Sequence, residues 1–141
     1  MKKIMLFLLF VVCALSMAQD KNQNCKFDFK VYTENQIEDE MRSIYKTEIK
    51  WNFSKLDLKN TTCVIEIVPM KDCMNGLDAI KLKPSVIISS TDKNFSAKGS
   101  KFINHLELMT KCFKWRVIVT NTKNSCTETT EWKYSSFLSQ Q

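Results

Sequence analysis

The sequence predicts an all-β fold, a disulfide-braced sandwich of seven or so short strands, and three observations carry that expectation. Short stretches that alternate apolar and polar residues recur along the chain with turn signals between them. The stretch from Cys112 to Tyr134, CFKWRVIVTNTKNSCTETTEWKY, reads as two strands joined by a polar turn. In its first half Phe113, Trp115, Val117 and Val119 share one face, and Lys114, Arg116, Ile118 and Thr120 the other, as in a strand packed on a core from one side. Finally, only two glycines and two prolines occur, which argues against a collagen-like or disordered chain, and no repeat or linker divides the sequence.

Lys2 and Lys3 precede an apolar run from Ile4 to Leu15, closed by the small residues Ser16 and Ala18. This is the pattern of a secretory signal peptide over residues 1–18. The run is short against the roughly 20 residues that span a bilayer, so no membrane span is expected after cleavage. Cys13 follows Val12, whereas a lipoprotein signal needs a small residue there. Residues 19–141 have the length of a single domain, and export makes the expected location secreted or periplasmic. Loss of Lys2 and Lys3 lowers the formal net charge from +6 to +4. The remaining lysines are scattered, not gathered into the basic footprint a nucleic-acid surface wants, so no nucleic-acid partner is expected.

Lys26 to Tyr32 alternates and predicts a first strand. Thr33 to Ser43, TENQIEDEMRS, is acidic and reads as a loop with a helical turn capped by Thr33 or Asn35. Lys46 to Phe53 is a second strand with Ile49, Trp51 and Phe53 on one face; Leu56 and Leu58 in the polar linker after it are positioned to cover an edge. Cys63 to Met70 is a third, with Ile65 and Ile67 opposite Val64, Glu66 and Val68; Pro69, lacking an N–H, closes it. Asn75-Gly76 marks a turn. Ala79 to Leu82 and Ser85 to Ser89, interrupted by Pro84, form one bent edge strand or two short ones. A polar loop, Ser90 to Ser100, leads to Phe102 to Met109, a strand with Leu106 and Leu108 inward. The hairpin follows.

Phe113 ahead of Trp115-Arg116-Val117, then Asn121, then Glu131-Trp132, resembles the last two strands of a fibronectin type III domain. Ile49-Lys50-Trp51 is similar to the second strand of that family, and CVIEIVP from Cys63 to its third, so the resemblance covers Lys26 to Phe137. It implies a seven-stranded fibronectin type III or immunoglobulin-like sandwich. The chain departs from the family where Phe113 replaces the usual tyrosine, whose hydroxyl anchors the corner before it. Met109-Thr110-Lys111 also replaces the usual proline-glycine-threonine.

With Cys13 lost from the six cysteines, five remain, an odd number that implies disulfides and one leftover thiol. Cys112 and Cys126 lie at opposite ends of a strand, roughly 26 Å apart at the usual rise, far beyond the approximately 7 Å reach of a disulfide. The same consideration disfavours Cys63 with Cys73. The resemblance sets the third strand antiparallel beside the one carrying Trp115, and so implies the pairs Cys73–Cys112 and Cys63–Cys126. Cys25 falls at the pole of Cys63 and Cys126, where it competes for either or else is a free thiol or an intermolecular link.

No constellation for catalysis stands out. His105 is the single histidine, and a zinc site wants several His or Cys ligands at short spacings. Glu38, Asp39 and Glu40 are adjacent carboxylates in a polar stretch, without the two distinct environments acid–base work needs. No phosphate loop, nucleophile elbow or cofactor motif is present. Trp51 and Trp115 have core parity, whereas Trp132 with Tyr134 belongs either to the core or to an exposed aromatic patch. Asn52, Asn60 and Asn94 each head an N-x-S/T triplet, relevant only in a eukaryotic secretory route. The expected function is an exported non-catalytic interaction module that binds a protein or a surface glycan through loops or a strand edge. The alternative is a secreted or periplasmic enzyme inhibitor, and an enzyme using Cys25 is a third. The loops Ser54 to Thr62 and Asn121 to Thr130, expected at one pole, are the candidate contact surface.

Overall fold

A computed structural model describes residues 25–39, 44–78, 80–82 and 85–138. Residues 1–18, where a signal peptide is expected, and Glu40 lie outside the described residues, as do the side chains of Glu38 and Asp39. The chain folds into two antiparallel sheets. The first contains β1 (Lys30–Asp39), β2 (Ile44–Asn52) and β5 (Lys98–Asn104) in the order β1-β2-β5. The second contains β3 (Thr61–Pro69), β4 (Val86–Ser89), β6 (Cys112–Asn121), β7 (Cys126–Thr129) and β8 (Lys133–Ser136). Its order is β4-β3-β6-β7, and β8 continues the outer edge by pairing with the first half of β6. One apolar core lies between the sheets. Ile49, Trp51 and Ile103 come from the first, and Ile65, Ile67, Phe113, Trp115, Val117 and Val119 from the second. All five residues assigned to the core from the sequence, Trp51, Phe113, Trp115, Val117 and Val119, are buried. Leu56 and Leu58 pack against its rim.

Eight strands stand where seven are expected, because the second strand of the hairpin is broken between Thr129 and Lys133 into β7 and β8. The first strand begins at Lys30 rather than Lys26, and residues 80–82 make only an isolated bridge, Met70 to Lys81. Two further differences have a local physical cause. Where the composition of residues 33–43 suggests a loop, β1 runs on to Asp39, paired with β2 except at a bulge between Ile37 and Asp39. Its inward positions are polar but bonded. Asn35 accepts from the buried Thr47 hydroxyl at 2.7 Å and donates to the Ser136 carbonyl at 2.7 Å. Thr33 and Ser135 bring their hydroxyls within 3.3 Å. A strand that meets hydrogen-bonding groups at an edge does not need apolar residues there, because each buried polar atom has a partner. Secondly, the strand expected over Phe102 to Met109 stops at Asn104. The Asn104 side chain accepts the Glu107 N–H at 2.7 Å and caps a helical turn, α1 (His105–Leu108), which ends at Met109 in the left-handed region with φ 52°. This turn buries Leu108 but leaves Leu106, expected inward, exposed.

The disulfides are Cys73–Cys112 and Cys25–Cys126, with Cα separations of 5.7 and 5.9 Å. The first is the expected pair; the second replaces Cys63–Cys126, and the leftover thiol is Cys63 rather than Cys25. The physical reason is strand order. Cys63 sits opposite Val119 on β6, and Cys126 opposite Asn121 on the other side of that same strand. Two strand spacings, roughly 10 Å, therefore separate β3 from β7, more than a disulfide spans. Cys63 also shares the inward parity of Ile65 and Ile67 and is fully buried. Cys25 instead leads the segment that runs beside β7, where the Phe27 N–H also bonds Glu128 Oε2 at 2.5 Å.

Candidate interaction surface

β3 and β6 pair so that Glu66 lies opposite Arg116 and Val68 opposite Lys114, all on the outward face of the second sheet. Half of that face is covered. The chain leaving β3 turns back on itself: Lys71 N–H bonds the Ile80 carbonyl at 2.7 Å and Leu82 N–H the Pro69 carbonyl at 3.0 Å, with a bridge between Met70 and Lys81. Beneath this fold lies a second small cluster in which Val68, Met70 and Cys112 are buried, with Cys73, Trp132 and Tyr134 packed around them. The Cys73–Cys112 bond ties the segment down. The Tyr134 hydroxyl donates to the Cys73 carbonyl at 2.9 Å and Lys114 Nζ to the Leu77 carbonyl at 3.0 Å. Burial, opposed in part by the Ser136 hydrogen bond, raises the Tyr134 pKa.

The segment is tethered, yet its apolar side chains point outward. Met74 is 93 % exposed, Ile80 69 %, and Leu77 and Leu82 41 % each. Beside it the Trp132 ring gathers three cations: the Arg116 guanidinium at 4.3 Å from its centre, Lys114 Nζ at 5.1 Å and Lys81 Nζ at 5.9 Å. Arg116 is also held by Glu66 at 2.8 Å, whose other oxygen accepts from the Ser85 hydroxyl at 3.1 Å. Trp132 is thus half-buried at the border between the covered and open parts of the sheet. The outward parity of Lys114 and Arg116 is legible in the hairpin; the arrival of Lys81 from a separate loop is not.

The loops at 54–62 and 121–130 do share a pole: the Thr122 N–H and hydroxyl both donate to the Asn60 carbonyl, at 2.8 and 3.1 Å. They expose no large apolar side chain among the described residues. His105 is engaged by the backbone of Tyr45, whose N–H lies 3.2 Å from its Nδ1. Burial pushes the Cys63 thiol up to about 11, so it stays protonated. Among the described residues no group of three or more His, Cys, Asp or Glu converges to hold a metal ion, and no helix is long and apolar enough to cross a membrane. No family model, curated protein or solved structure matches the chain.

Proposed function

We propose that the chain is an exported, non-catalytic interaction module on a fibronectin type III-like sandwich, and that it binds a protein through the disulfide-tethered residues 73–78 and 80–82. The observation that carries this is the exposure of Met74, Leu77, Ile80 and Leu82 on a segment held in place by Cys73–Cys112. Exposed apolar side chains gathered on a fixed loop are a mark of contact surfaces. The antiparallel pairing of β3 with the strand carrying Trp115, which the fibronectin resemblance implies, supports the family assignment. The two disulfides support export. The Cys25–Cys126 bond removes the thiol on which an enzyme using Cys25 would depend. A braced loop with an apolar tip is equally what an inhibitor inserts into an active site, and this keeps inhibition as the second reading.

The test is a pull-down from the matching extracellular fraction with the native chain and with a Met74→Asp, Ile80→Asp variant. A partner held by the native chain and lost by the variant supports the module; a partner retained by both refutes the assigned surface. A soluble hydrolase as that partner selects inhibition.

A further inference from the structure

Lys81 and Lys114 form no ion pair among the described residues, and of the three cations at Trp132 only Arg116 has a carboxylate. Of the acidic residues beside it in the chain, Asp72 is turned into its own loop, accepting from the Met74 N–H at 2.9 Å and from the Asn75 side chain, and the exposed Asp78 forms no ion pair among the described residues. Like charges gathered at one ring repel each other, and the indole face offsets only part of that cost. The cluster therefore carries an excess positive charge that a ligand anion would balance; Ile80 and Leu82 flank Lys81 in the chain and Leu77 precedes them on the same segment, all exposed.

We propose that the partner contacts this surface with an acidic, apolar peptide segment: carboxylates set against Lys81 and Lys114 over Trp132, and large apolar side chains set against Leu77, Ile80 and Leu82. This rests on the reading of residues 73–78 and 80–82 as the contact surface and adds the chemistry of the partner to it. The apolar neighbours favour a peptide over an anionic glycan, because sugars offer little surface to bury against leucine and isoleucine.

The experiment selects random peptides displayed on phage against the immobilised, disulfide-intact protein, with heparin as the anionic-glycan probe. The expected result is enrichment of sequences that combine Asp or Glu with large apolar residues. Their affinity should fall with added salt and drop about 10-fold in a Lys81→Glu, Lys114→Glu variant. It should be unchanged by Lys30→Glu with Lys98→Glu on the other sheet. Lys81→Glu alone, at an exposed position, serves as the control should loss of the Lys114 bond to Leu77 loosen the loop. Enriched peptides without acidic residues, or binding indifferent to both lysines, overturn the proposal. If such peptides still require Met74 and Ile80, the contact surface stands and only its acidic partner is lost; if no peptide is enriched, both fall. Heparin binding that depends on Lys81 and Lys114, without peptide selection, assigns the site to a glycan and also overturns the proposal.

Discussion

On the outward face of the β1-β2-β5 sheet, Lys50 meets Glu34 at 2.5 Å and Glu48 at 3.2 Å, whereas on the opposite face three cations crowd one indole with a single carboxylate paired to them among the described residues. Both faces come from strands with the same alternation. The first is laid open to water, with Lys30 over Tyr32 and Lys46 over Phe102. The second acquires a roof, because the chain leaving β3 returns over it and is fixed by a disulfide. Charge on a strand's outer face is therefore no guide by itself to a binding role. What distinguishes the second face is the convergence of three cations on one ring and the exposed apolar side chains that a tethered loop brings beside it.

If the roof is a separate element, removing its tether should open one face and spare the other. Cys73→Ala with Cys112→Ala releases a bond that closes a sequence separation of 39 residues, nominally about 4 kcal/mol of unfolding free energy in the chain-entropy model. The expected pattern is a large fall in the denaturant midpoint together with fast amide exchange at Lys71 and Leu82, while β2 amides keep their relative protection. Equal acceleration across both sheets would mean that the roof is no separate unit.

The open sheet is sensitive from its inner side. Gly99 lies opposite Trp51, and a Cβ there would come within 2.9 Å of Trp51 Cζ2. The indole has no easy retreat, since it stacks on Phe95 at 5.6 Å and donates to the Ser96 carbonyl at 2.8 Å. Gly99→Val should cost about 1–3 kcal/mol by overpacking. Adding Trp51→Phe should recover part of that loss; strictly additive losses in the two variants would contradict the close contact.

A smaller effect separates the shared core from both faces. The folded state raises the Cys63 thiol from 9.0 to about 11, so the unfolded chain deprotonates first as pH rises. The stability this thiol contributes is complete below pH 9 and is lost between 9 and about 11. Tyr134 shifts in the same direction, so the measurement is the difference between the native chain and Cys63→Ala in the alkaline limb of denaturant midpoint against pH. The variant should show the shallower limb, and Cys63 should resist alkylation until the protein unfolds. Rapid labelling of the native protein would refute its burial.

The hairpin was open to sequence reasoning because Phe113, Trp115, Val117 and Val119 face a core on one side only, which is what a period of two records. The second half of β1 was not, because its inward residues, Thr33 and Asn35, satisfy hydrogen bonds across the sandwich edge and look like loop residues in composition. Leu106 and Leu108 share a strand's parity, so only the Asn104 cap separates helix from strand there. The inward parity of Cys63 with Ile65 and Ile67 was visible. Its consequence for pairing appears only when β6 is seen to stand between β3 and β7. For the interaction surface, Lys114 and Arg116 could be placed outward, but the outward turn of Met74 and Ile80 depends on how the chain folds back after Pro69.

The smallest effect belongs to the open face and is the sharpest check on the contrast. The Glu48 carboxyl is held below its ordinary 4.5 first by the Ser100 hydroxyl and then by Lys50. A depressed carboxyl contributes stability above its ordinary pKa that is lost as pH falls through the lower folded value. Lys50→Gln should leave the midpoint at neutral pH unresolved from the native one, since exposed ion pairs are screened and entropically costly to hold. Ser100→Ala should alter the acid limb more than Lys50→Gln does, because the hydroxyl is the larger of the two influences on Glu48. Were Lys50→Gln instead to destabilise the protein as severely as loss of the Cys73–Cys112 bond, the open face would be structural rather than solvated. The cations converging on Trp132 would then lose the comparison that marks them as a binding surface.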